Sequence, residues 1–151
     1  MKYYGNIPFN EFSEHVKNIS IESWKLVFNF IQKFKKARET NVWYFEKDYK
    51  SLLDGDLEFS GSVISDFYQL IEAVGILIVY NWSSNDLGYQ SYQNKDFDFS
   101  ILNLTELSKI LTFHVRTDRF NEDHFKFCVK NEVIEKILIA MQTRINSLEL
   151  K

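Results

Sequence analysis

The sequence predicts a mainly α-helical protein, a compact single-domain bundle of about six helices with at most a small two-stranded β ribbon. Apolar residues recur at helical spacing through most of the chain, while Pro occurs once and Gly only five times. Aromatic residues make up 17% of the chain, which indicates a bulky core. The length of 151 residues matches the usual size of one domain, so residues 1–151 are expected to form a single unit.

Two helices are predicted at the start of the chain. Pro8 stands where the first turn of a helix tolerates proline, and the apolar spacing after it predicts a short helix that ends near Asn18. Ser20 is the predicted cap of a longer helix over 21–38, whose apolar stripe is wide enough for burial against several neighbours. The basic end of this helix suits the carbonyl groups exposed in a last turn, so we interpret these cations as structural.

Helical spacing lapses after residue 38 and returns over 63–74. Ser60 or Ser62 is the predicted cap of this next helix, and Gly75 is its predicted left-handed stop.

A strand and a long loop are predicted next. The apolar run 76–82 is short enough for a buried strand, and its predicted partner is 42–45. Residues 83–100 are rich in turn-forming types, and we expect a loop that its aromatic rings hold against the core.

Three helices are predicted in the last third of the chain. The first begins with a capping box between Asn103 and Glu106 and breaks at Thr117. The second is capped by Asn121, and Asn131 provides its left-handed stop. The last helix follows directly.

Charge and cysteine content narrow the class of protein. Residues 51–106 carry nine acidic side chains and one lysine within a chain of net charge −3, and this charge disfavours nucleic acid as a partner. The single cysteine, Cys128, cannot form an intramolecular disulfide and indicates a reducing compartment. No apolar run approaches the roughly 18 residues of a membrane span, and residues 1–10 lack the apolar run of a signal peptide. We therefore expect a cytoplasmic protein with no membrane partner.

The densest polar group lies at the turn between the first two C-terminal helices and comprises His114, Arg116, Asp118, Arg119, Glu122, Asp123 and His124. The two arginines could hold an anionic ligand while a histidine acts as general acid or base. Alternatively, Phe120 and Phe125 form a hydrophobic staple around the cap, and Asp118 is a turn or capping acceptor. No catalytic spacing motif supports the first interpretation, so we favour the structural one and expect no catalytic residues.

A metal site is a further possibility at the same turn. His124 and Cys128 are four residues apart and share a helix face, and His114 could approach them across the turn, so three ligands could begin a zinc site. However, the sequence supplies no second close-spaced pair of ligands, and His114 lies on an apolar stripe where a buried histidine with one satisfied nitrogen is commoner. We expect neither metal ligands nor a cofactor.

The C-terminal pattern resembles the signature of a bacterial family of unknown function. The matching residues are Leu111, Thr112, Arg116, Asp118, Arg119 and Phe120, followed by the apolar spacing Val133, Ile134, Ile137 and Leu138. The resemblance covers roughly 49–145 and includes Gly75 and Tyr80-Asn81-Trp82 upstream. Asn81 stands where the family tends to have aspartate, and Asp123 where it tends to have glycine. The resemblance implies no particular activity.

The leading hypothesis is a non-enzymatic accessory domain that binds an unidentified protein or a small anionic ligand. Its binding residues would be Trp82, Tyr89 and Tyr92 together with Arg116, Asp118 and Arg119, because exposed aromatic and arginine side chains anchor partners. One alternative is an enzyme that acts on a phosphate-bearing or other anionic substrate held by the two arginines. A second alternative is a component of a phage or defence system.

Overall fold

The computed structural model describes residues 6–43, 62–121 and 123–149, and helix makes up 75% of the structure. The predicted mainly helical class is therefore confirmed. In chain order the elements are β1 (Asn6–Pro8), α1 (Phe12–Lys17), α2 (Ile21–Phe28), α3 (Phe30–Thr40), α4 (Val63–Val74), β2 (Leu77–Val79), α5 (Asp86–Gln93), α6 (Leu104–Asp118), α7 (His124–Lys130) and α8 (Val133–Glu149). Short 3-10 helices cover Phe9–Glu11, Trp82–Ser84 and Phe99–Ile101.

Several helix boundaries follow from local capping and confirm the prediction. The Ser20 side chain accepts a hydrogen bond from the Ser23 amide, and Ser62 caps α4 in the same way. Gly75 ends α4 with φ 85°, a left-handed conformation that favours glycine. The capping box between Asn103 and Glu106 opens α6. The alternative cap of α4, Ser60, lies outside the described residues.

The first helices differ from the prediction at two points. Pro8 is the last residue of β1 and also the N-cap of the 3-10 helix Phe9–Glu11, so the helical segment begins as a 3-10 turn and α1 itself begins only at Phe12. The predicted helix over 21–38 is divided into α2 and α3 at Asn29, although the backbone of Asn29 keeps helical angles. Arg38, in the last turn of α3, forms an ion pair with the buried carboxylate of Glu135 on α8. This pairing supports a structural interpretation of that basic residue.

The small sheet contains β2, as predicted, but the predicted partner strand is wrong. β1 pairs with β2 in parallel, with Ile7 opposite Ile78, and both side chains are buried. Val42 and Trp43 are not in a strand, and residues 44–45 lie outside the described residues. A three-residue strand has too short a pattern to be recognised in a sequence.

The predicted loop over 83–100 is also wrong, because α5 occupies its centre. The Asn85 side chain accepts from the Gly88 amide and caps this helix. The buried residues of α5 are Gly88 and Ser91, so its inner face lacks the apolar stripe that reveals most helices.

The α6–α7 and α7–α8 turns were placed correctly, but their key residues were not. Asp123, with φ 64°, occupies the N-cap position of α7 in place of Asn121 and makes no capping hydrogen bond through its side chain. Glu132, with φ 66°, is the left-handed residue before α8 in place of Asn131. Non-glycine residues adopt this conformation only when the surrounding structure holds them there.

The core is built around α6, which contacts α5, α7, α8 and β2. Phe34, Phe67 and Phe125 bring α3, α4 and α7 together in a buried aromatic cluster. Among the helices that the structure describes, none combines the length and apolar character needed to cross a membrane.

Candidate functional site

Asp118, the last residue of α6, is bonded inside the domain through both carboxylate oxygens. Oδ1 accepts from the backbone amide of Phe125 at 2.9 Å, and Oδ2 accepts from the Tyr68 hydroxyl at 2.9 Å. Burial, followed by the charge of Asp118, raises the pKa of Tyr68, so its phenol remains a donor. Asp118 therefore caps α7 from outside the helix and links it to α4.

The predicted staple between Phe120 and Phe125 does not form. Because α7 begins at His124, Phe125 lies in its first turn, one residue past the start, rather than four residues inside. Phe125 is fully buried, whereas Phe120 is 79% exposed and stacks on Trp82 with 5.9 Å between ring centroids.

Three predicted binding residues, Trp82, Tyr89 and Tyr92, meet around one buried ring. Their ring centroids lie 6.2, 4.8 and 6.4 Å from that of Phe113, respectively. With Phe120 stacked on Trp82, they form a continuous surface that we call the aromatic face, defined as Trp82, Tyr89, Tyr92 and Phe120.

A glycine lets α5 approach the ring beneath the aromatic face. A Cβ atom placed on Gly88 would lie 2.5 Å from Cγ of the Phe113 ring, so no larger residue fits without a shift. Sequence reasoning missed Phe113 and Phe120 as members of the site, because a phenylalanine in or near a helical stripe is usually a core residue.

The three turn residues predicted beside the aromatic face have different environments. Arg119 is exposed and directly precedes Phe120, whereas Asp118 is bonded inward. Arg116 is half-buried: burial lowers its pKa, the positive charge of Arg119 lowers it further, and the carboxylate of Glu72 opposes both. Arg116 therefore feels both the positive charge of Arg119 and the negative charge of Glu72.

Beneath the aromatic face, His114, His124 and Cys128 form a buried cluster. His114 Nδ1 lies 2.9 Å from His124 Nε2, and Cys128 Sγ lies 3.5 Å from each of these nitrogens. His114 and Cys128 are 0% exposed, and His124 is 4% exposed. His114 also uses its second nitrogen, because Nε2 lies 2.8 Å from Ser91 Oγ. The expectation of one satisfied nitrogen was therefore wrong.

Burial sets the protonation of this cluster. It lowers the pKa of His114 to about 3, with a smaller contribution from His124. It also lowers the pKa of His124, against the opposing charge of Asp118, and raises the pKa of the Cys128 thiol, to which Asp118 adds. His114 is neutral at pH 7 and Cys128 is a thiol, so neither is poised as a general acid or as a nucleophile.

The fold and the site define a mainly helical protein with an exposed aromatic face above a buried histidine–cysteine cluster. The chain belongs to a family of unknown function, DUF6508, whose family model matches residues 19–147. The match confirms the resemblance to a family of unknown function and extends it upstream to α2. No curated protein is significantly similar to the chain. Comparison with solved structures likewise finds no significant match.

Proposed function

We propose that this domain is a non-enzymatic binding module whose aromatic face holds a segment of another protein. The observation that carries the proposal is the exposure of Phe120, which is 79% accessible yet held in place by its stack on Trp82. Tyr89, at 41% exposure, extends the same surface through Phe113. Large apolar side chains that are exposed together and fixed by a buried ring mark an interaction site.

The shape of the surface favours a protein over a small ligand. Small molecules bind in concave pockets that enclose most of their surface. Three cavities of the described part of the chain have volumes of about 290, 370 and 450 Å³. The first lies between residues 97–100 and α8, the second between α2 and α8, and the third among α2, α3 and α4. None of these three cavities includes a residue of the aromatic face.

The charge beside the aromatic face indicates what the partner presents. Arg119 is exposed next to Phe120, where its guanidinium group can pair with a carboxylate of a partner. A partner segment with an apolar anchor followed by an aspartate or glutamate would place its ring or aliphatic side chain on Phe120 and its carboxylate on Arg119.

The enzyme hypothesis has less support from the same turn. Of the groups it needs, Asp118 is bonded within the domain and His114 is buried and neutral. Arg119 is exposed, and binding of a carboxylate is the function we propose for it.

The experiment compares captured proteins across surface variants expressed at equal levels in the native host. We expect one protein to be recovered with the wild-type chain, and to be lost with Phe120→Ala and with Arg119→Glu. The matched control is Ile101→Ala, because Ile101 is 73% exposed and lies in the 3-10 helix packed on α8, away from the aromatic face. It should leave the capture unchanged.

A direct measurement then follows with the purified partner. A ring that anchors an interface costs at least about 2 kcal/mol on truncation, so Phe120→Ala should weaken binding by roughly thirtyfold. Capture that survives both Phe120→Ala and Arg119→Glu, or that is lost equally with Ile101→Ala, would contradict the proposal. Sedimentation should also show a wild-type monomer, since a dimer abolished by Phe120→Ala would assign the face to a second copy of the chain instead.

A further inference from the structure

The buried cluster brings together three side chains that are all ligands for borderline-soft transition metals. His124 and Cys128 lie one turn apart on the same side of α7, and His114 faces them from α6. Their donor atoms lie within 4.8 Å of one another. Imidazole nitrogen and thiolate sulfur together are typical of Zn²⁺ sites rather than of Mg²⁺ or Ca²⁺ sites, which require oxygen.

The spacing of the donor atoms matches a tetrahedral ion. With Zn–S of about 2.3 Å and Zn–N of about 2.0–2.1 Å, a tetrahedral ion separates a sulfur from a nitrogen by about 3.5 Å and two nitrogens by about 3.3 Å. Both sulfur–nitrogen distances in the cluster are 3.5 Å, and the nitrogen–nitrogen distance is 2.9 Å. The two sulfur–nitrogen distances therefore already match a tetrahedral ion. The nitrogen–nitrogen distance matches once the two histidine rings move apart by a few tenths of an ångström.

Ser91 orients His114 as metal sites require. The Ser91 hydroxyl donates its single proton to the carbonyl oxygen of Gly88 at 2.7 Å, so its oxygen accepts from His114 Nε2 at 2.8 Å. This arrangement places the proton of His114 on Nε2 and leaves the lone pair of Nδ1 directed at His124 and Cys128. Histidine ligands are usually held by such a hydrogen bond from the opposite ring nitrogen.

We propose that His114, His124 and Cys128 bind one Zn²⁺ ion that ties α7 to α6 beneath the aromatic face. On binding, His114 offers the lone pair of Nδ1, the proton that His124 Nε2 shares with it moves to His124 Nδ1, and the Cys128 thiol becomes a thiolate with release of one proton to solvent. The group comprises three ligands among the described residues, and we assign the fourth position of the ion to a water molecule or another small ligand.

The test is a titration of the full-length, metal-free chain with Co²⁺ in a non-chelating reductant. Tetrahedral Co²⁺ gives intense visible bands, and its bond to sulfur gives a charge-transfer band in the near ultraviolet. We expect both to saturate at one Co²⁺ per chain and to disappear when Zn²⁺ is added. Zn²⁺ should also raise the melting temperature, and a chelator should reverse that rise.

Variants separate the cluster from adventitious binding. Cys128→Ser should abolish the charge-transfer band, and His124→Ala should abolish stoichiometric binding. Ser91→Ala should weaken Zn²⁺ binding by about 10–100-fold, because it removes the bond that orients His114. The matched control is His15→Ala, since His15 is the histidine outside the cluster and bonds to the Val74 carbonyl oxygen instead. Its Co²⁺ spectrum should equal that of the wild type.

Several results would overturn the proposal. These are a wild-type chain that binds neither Co²⁺ nor Zn²⁺ at one equivalent, a Cys128→Ser variant with an unchanged spectrum, or a His15→Ala variant that alone loses binding. A chain that takes up Cu⁺ but no Zn²⁺ would overturn the assignment of zinc. The wild-type titration needs no substitution, so it tests the proposal even if one of the variants fails to fold. Partner capture through Phe120 is a separate result and does not depend on this outcome.

Discussion

The two sides of the region formed by α5, α6 and α7 invert the usual distribution of residues. On the inner side, His114 and His124 are buried and Asp118 is bonded inward. On the outer side, the rings of Phe120 and Tyr89 are exposed. Soluble proteins usually bury aromatic rings and expose ionisable groups, so both the buried histidines and the exposed rings depart from the usual pattern. The two sides lie back to back and are joined by Phe113.

The difference between the sides lies in which interactions are already satisfied. On the inner side, Asp118 bonds to Tyr68 and Phe125, and His114 bonds to Ser91 and His124. Buried hydrogen-bond networks in which every member has a partner hold their side chains in one arrangement. On the outer side, one face of the Phe120 ring stacks on Trp82 while most of the side chain meets solvent. The inner side therefore contributes to the fold, and the outer side is the surface that we propose to bind a partner.

Replacement of the ring between the two sides should have the largest effect. Phe113→Ala removes a fully buried ring that contacts Trp82, Tyr89 and Tyr92. We expect the free energy of unfolding to fall by about 3–5 kcal/mol, measured by denaturant titration. The control is Phe127→Ala, whose ring is 49% exposed and should cost much less. A loss below about 1 kcal/mol for Phe113→Ala would show that the aromatic face is not anchored through this ring.

Loss of the inward carboxylate should have the next largest effect. Asp118→Ala removes two hydrogen bonds to a charged acceptor and leaves the Phe125 amide and the Tyr68 hydroxyl without it. We expect a loss of about 2–4 kcal/mol and a melting temperature lower by several degrees. Tyr68→Phe should produce part of this loss.

The control for Asp118→Ala is Asp86→Ala. The Asp86 carboxylate is exposed and accepts from Gln90 within the same helix, so its removal should cost about 0.5 kcal/mol or less. If Asp118→Ala melted at or above the wild-type temperature while partner capture was lost, Asp118 would belong to the binding surface rather than to the frame beneath it.

The smallest effect on stability is expected for the most exposed ring. Phe120→Ala loses only its stack on Trp82, and we expect a change of at most about 1 kcal/mol by thermal unfolding. Phe113 provides the matched comparison, because both rings contact Trp82 but only Phe113 is buried. A loss above about 2 kcal/mol would place Phe120 among the residues that hold the fold, and its exposure would no longer indicate a binding site.

The predictions that succeeded concern features set by neighbouring residues, and those that failed concern contacts between distant segments. Ser62, Gly75 and the Asn103–Glu106 capping box were found in the sequence because a cap acts within one turn of its own residue. The strand pair and α5 were missed because their stability comes from contacts with distant segments: β1 with β2, and Gly88 with Phe113. The inward face of α5 carries Gly88 and Ser91, whose small side chains give no periodic apolar signal.

The sequence by itself determined the helical class, the bounds of α4 and α6, and the common face of His124 and Cys128, since each depends on spacing within a few residues. Only the tertiary structure decided that His114 completes their cluster, that Asp118 meets Tyr68 fifty positions away along the chain, and that Phe120 lies outside while Phe113 lies inside. The physical reason is that such contacts depend on how the helices pack. Phe113 and Phe120, seven positions apart, acquire opposite roles from the neighbours that packing gives them.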